Sequence, residues 1–90
     1  MMILNTTMDL IDDLANREFQ PRSYSGRHMY GKSCVAVVVE YRMQYDELAE
    51  AHPGARIDNF GLDFVVYWPD AEWTPSVQEY MDTIYDPSGE

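Results

Sequence analysis

Residues 34–41 read Cys-Val-Ala-Val-Val-Val-Glu-Tyr. β-branched side chains are stiff about χ1 and suit the pleated strand better than the helix. The run is apolar at successive positions rather than at alternate ones, so both of its faces must be buried. A strand of this kind belongs at the centre of a sheet, and it predicts a fold built around that sheet.

A second strand is predicted over Phe60 to Trp68. There Phe60, Leu62, Phe64, Val66 and Trp68 alternate with Gly61, Asp63, Val65 and Tyr67, and Pro69-Asp70 is expected to end it. Phe64 and Val66 should lie on or near the centre of the sheet, with Val37 opposite or adjacent. Gly31-Lys32 reads as a hairpin turn, with a short strand expected around Arg27 to Tyr30.

Helices flank these strands. Leu4, Met8, Ile11, Leu14 and Ala15 share one helical face, with Asp9, Asp12, Asp13 and Asn16 opposite. The start is expected near Asn5 to Thr7, with Thr6 and Asp9 as a capping pair. A short helix is predicted over Gln44 to His52, burying Tyr41, Tyr45, Leu48 and Ala49 and stopped by His52-Pro-Gly54. For the last helix, Thr74 is the N-cap and Pro75 the first residue. Val77, Tyr80, Met81, Ile84 and Tyr85 then form the apolar face. The predicted fold is α+β: a small antiparallel sheet of two to four strands, with N-terminal and C-terminal helices packed on one face.

Ninety residues, 1–90, make one domain. One cysteine excludes an internal disulfide and suits a reducing cytoplasm. No apolar run reaches the length of a membrane span, and no basic-then-apolar leader opens the chain. The expectation is therefore a cytoplasmic protein with no membrane partner.

The net charge of −10, from 16 acids and 6 Lys and Arg, disfavours direct nucleic-acid binding and favours a partner with a basic surface. The charge is uneven. Residues 43–90 hold eleven acids against Arg56 alone, whereas Phe19 to Val39 contains no acid at all.

Candidates for chemistry are thin. Cys34 with His28 or His52 would be a nucleophile and its base, but no catalytic motif surrounds them. One Cys and two distant His do not make a zinc site, and the calcium-loop pattern is absent. Gly26 and Gly31 fit neither phosphate-loop spacing. Asp58, Asp63 and Asp70 are expected to be solvated. Neither a cofactor nor a metal is implied, and no enzyme activity is expected.

What remains is the loop Tyr24 to Cys34. Tyr24, Ser25, Arg27, His28, Tyr30 and Lys32 form a candidate contact site, since Tyr and Arg are enriched at binding hot spots. The plainer alternative is that glycines turn the loop while its tyrosines cover the edge of the core. Acidic helix faces are the second candidate: Asp9, Asp12 and Asp13 on the first helix, and Glu79, Asp82 and Asp86 on the last. Exposed Trp73 or Tyr85 would allow a homodimer.

Tyr24-Ser25-Gly26-Arg27, Met29-Tyr30-Gly31 and Cys34 together resemble a motif of small uncharacterised proteins of bacteriophages and mobile elements. The small size, acidity and lone cysteine are similar to those of phage inhibitors of host defence such as anti-CRISPR proteins. This resemblance implies a non-enzymatic protein of phage or prophage type in the host cytoplasm. It would occupy a basic, nucleic-acid-binding groove of a host protein as a DNA mimic. The rival expectation is a small-molecule or nucleotide binder that uses the Tyr24–Cys34 loop, with Arg27 and Lys32 holding an anion.

Overall fold

The computed structural model describes residues 3–25 and 31–84. In chain order it contains α1 (Ile3–Asn16), β1 (Arg22–Tyr24), β2 (Cys34–Val39), α2 (Arg42–Ala51), β3 (Arg56–Phe60), β4 (Asp63–Glu72) and α3 (Pro75–Ile84). The four strands form one antiparallel sheet in the order β1-β2-β4-β3. This is the α+β architecture that the sequence predicts, with β2 and β4 central and Val37 directly opposite Val66.

The three helices share one face of the sheet. Leu10, Ile11 and Leu14 of α1, Leu48 of α2, and Val77 and Met81 of α3 join Val35, Val37, Val39, Val66, Trp68 and Ala71 in one buried cluster. Strand alternation explains most of the membership: odd positions of β2 and the even positions Val66 and Trp68 of β4 point the same way, while Ala71 joins them beyond a slip in the β2–β4 register. The opposite face of β2 is also closed, since Cys34 and Ala36 are fully buried.

Several boundaries differ from the sequence reading. The run expected to be one strand from Phe60 to Trp68 is a hairpin, with Phe60 paired to Asp63 across Gly61-Leu62. Gly61 has φ +68°, and a two-residue turn of the II′ kind needs a positive φ at its first central position. Leu62 is therefore 95% exposed instead of facing the core with Phe64.

Nor does Pro69 end β4, which runs on to Glu72. The β2–β4 register slips between Cys34, opposite Glu72, and Val35, opposite Trp68. Pro69 falls within that slip, where a proline removes no ladder hydrogen bond.

The short strand next to β2 is Arg22–Tyr24, while the stretch first expected there, Arg27 to Tyr30, lies outside the described residues. Because α1 already begins at Ile3, Thr6 and Asp9 are interior and do not cap it. Tyr41 precedes α2 and is exposed. In place of a packed Tyr41, the Gln44 Oε1 accepts from the Tyr41 N–H at 2.8 Å and the Glu40 N–H at 2.9 Å. Trp73 is half-buried against the core, and its Nε1–H donates to Gln78 Oε1 at 3.0 Å, so it is not the free dimer contact expected. The α3 start is as read: Thr74 Oγ1 accepts from the Val77 N–H at 3.3 Å.

The end of α1 stores strain. Glu18 N–H donates to the Ala15 carbonyl and Phe19 N–H to the Leu14 carbonyl, both at 3.0 Å. These are the two bonds of a Schellman cap, with Phe19 packing back on the core. Its left-handed position is held by Glu18, with φ 70°, where glycine is the unstrained choice. A carboxylate at a helix C-terminus is also unfavourable. Glu18→Gly should therefore raise stability by about 0.5–1 kcal/mol in urea unfolding. A loss of stability would show that the Glu18 side chain has a role the cap geometry does not reveal.

Candidate functional site

The face of the sheet away from the helices carries the described part of the Tyr24 to Cys34 segment. Cys34 and Ala36 are small, and they leave room for rings. Tyr24 and Tyr67 fill it, with ring centroids 4.7 Å apart and planes tilted by 36°. The Tyr24 hydroxyl donates to Asp58 of β3. Burial first, and Asp58 second, push the Tyr24 phenol up to about 12, and burial likewise raises Tyr67. Asp58 is thus half-buried and bonded, not solvated as expected.

Ser25 Oγ–H donates to the Lys32 carbonyl at 3.1 Å, and the Lys32 side chain is exposed. Arg27, His28 and Tyr30 lie outside the described residues. Of the six loop candidates, then, Tyr24 is tied into the sheet, Ser25 is bonded to the Lys32 backbone, and Lys32 faces solvent.

Burial pushes the Cys34 thiol up to about 11, so it is held as the unreactive thiol. His52 bonds Asp13 on the helix side of the sheet, whereas Cys34 points to the other side. The two are not a nucleophile and base. Among the described residues, no group of three or more His, Cys, Asp or Glu is placed to hold a metal ion.

The acidic candidates are brought together. Helices α1 and α3 pack side by side, and the Tyr80 hydroxyl of α3 donates to Asp12 of α1. That bond raises the Tyr80 phenol, with the nearby Asp9 charge adding to the effect. Asp9 and Asp12 are one turn apart on α1, and Glu79 and Asp82 are one turn apart on α3. All four are exposed, and neither helix contains Lys or Arg. Asp86 lies outside the described residues.

Asp13 stands apart from this layer. Its Oδ2 accepts from Arg17 Nε at 2.7 Å and meets His52 Nε2 at 2.7 Å, joining the end of α1 to the end of α2. Hydrogen bonds from Arg17, then from His52, hold its carboxyl below the usual aspartate range, against the opposing effect of burial. A carboxyl depressed in the fold stabilises it above the unfolded pKa, and that contribution disappears as pH falls through the folded value. Asp13→Asn should cost about 0.5–1 kcal/mol near neutral pH, after allowing for solvent screening. The gap between variant and wild type should narrow as pH falls below the ordinary aspartate range and through the depressed folded value. An unchanged gap at low pH would show that the effect is not electrostatic.

Sequence reasoning gave Tyr67 no role in a site and took Asp58 as solvated. The usable signal was the alternation of small Cys34 and Ala36 with Val35 and Val37, which marks one face of β2 as able to receive rings. Comparison with protein-family models, curated proteins and solved structures finds no match for this chain.

Proposed function

We propose that the protein is a non-enzymatic binding protein of phage or prophage type. It occupies a basic, nucleic-acid-binding surface of a host protein through the acidic layer of α1 and α3. The observation that supports this reading is the Tyr80–Asp12 bond, which joins two cation-free helices into one surface bearing Asp9, Asp12, Glu79 and Asp82. Carboxylates one helical turn apart on two neighbouring helices offer a basic groove a concentrated patch of negative charge. Such complementarity speeds encounter and selects the partner more than it adds affinity.

The rival small-molecule reading loses support at Tyr24, whose hydroxyl is bonded to Asp58 and whose ring meets Tyr67. The test is capture of partners from host lysate on the immobilised protein at low and high salt. A basic protein retained at low salt and released at high salt is the expected result. Retention that is indifferent to salt would reject the acidic layer as the binding surface.

A further inference from the structure

Two local preferences are broken at the same end of the sheet. The second central position of a tight hairpin turn favours a small polar residue, yet it holds Leu62, 95% exposed. The N-cap of α2 favours Ser, Thr, Asp or Asn, yet it holds Tyr41, whose side chain makes no capping bond and is 62% exposed. Val39, the last residue of β2, pairs with Phe64 near the start of β4, so Tyr41, two residues past Val39, and Leu62, two residues before Phe64, both lie just beyond that end of the sheet. Met43, 67% exposed, follows in the first turn of α2. Three large apolar side chains thus meet solvent at one end of the molecule. Clustered exposure of this kind marks an interaction surface more than scattered residues do.

The rim says what would cover it. Glu40 adjoins Tyr41 and Asp63 adjoins Leu62, and both are exposed. The neighbouring cation, Arg42, is turned along α2, 3.9 Å from Asp46 and 5.4 Å from the Tyr45 ring. A second copy docked here by two-fold symmetry would set Glu40 and Asp63 against their own equivalents, on chains that each carry −10. Anionic lipid would be repelled in the same way.

We infer that Tyr41, Met43 and Leu62 form an apolar anchor that seats in an apolar pocket ringed by lysine or arginine on the partner protein. This rests on the reading of the partner as basic, and supplies what that reading lacks. Surface charge steers association, while desolvated apolar anchors carry most of the affinity.

The experiment titrates wild type with two peptides of equal charge, an oligolysine and an alternating leucine–lysine peptide. Oligolysine binding at low salt reports attraction by the acidic surface without the apolar anchor, so its absence would overturn the proposed function without touching the anchor. The leucine–lysine peptide should bind at least about tenfold tighter at moderate salt. Tyr41→Ser with Leu62→Ser should abolish that advantage while leaving oligolysine binding and the melting temperature unchanged. Both positions are exposed, and serine suits both backbones, so the variant should fold. An advantage retained in the variant, or absent from wild type, overturns the anchor. So does a wild-type dimer in sedimentation that the variant loses, since the occupant would then be a second copy.

Discussion

Trp68→Ala should remove about 3–5 kcal/mol of stability, a large share of what a domain of this size possesses. Trp68 is only 4% exposed, and it lies in the cluster that α1, α2 and α3 share with the sheet. Its indole N–H donates to the His52 carbonyl at 2.9 Å, and its ring meets the His52 imidazole edge-on at 6.4 Å. Truncation would open a cavity beneath all three helices and also leave that carbonyl without its donor. Trp68→Phe helps to separate the two losses, since it keeps one ring, removes the donor and opens a smaller cavity, at about 1–3 kcal/mol. Phe64→Ala, expected from the sequence to be equally severe, should cost less because Phe64 is only half-buried. Denaturant unfolding of the three variants gives the order. A Trp68→Ala midpoint close to wild type would mean that the helical layer is not anchored where the structure places it.

The fold was legible wherever one residue type dominated. Cys34–Val39 could only be a buried strand, and Thr74-Pro75 could only open a helix. Legibility failed where a pattern had two solutions. Phe60 to Phe64 alternates apolar with polar or small residues, but alternation says nothing about whether the chain reverses, and the turn rests on Gly61 alone. Pro69 was read as a stop because its missing N–H usually breaks a ladder. The register slip that tolerates it depends on β2, far away in sequence.

The site was legible in composition and not in geometry. The acids of α1 and α3 could be named one by one, but their union depends on Tyr80 reaching Asp12, a contact between residues 68 positions apart. Asp58 was misread for the same reason, since its partner Tyr24 lies 34 positions away. Leu62 falls in the same alternating set as Phe64 and Val66, yet it is the most exposed large apolar side chain among the described residues. Charge and periodicity are local properties, whereas a surface is assembled by tertiary contacts.

The central claim is that the α1–α3 layer makes the contact with a basic partner. Asp9→Asn, Glu79→Gln and Asp82→Asn together remove three exposed charges and leave the Tyr80–Asp12 bond intact, so the fold should be unaffected. At low salt the triple variant should associate with the captured basic protein about 10–100-fold more slowly than wild type, because steering is lost. The difference should shrink as salt screens the wild-type layer. Stopped-flow association of the two proteins across a salt series measures this directly. Equal association rates for variant and wild type at low salt would contradict the account.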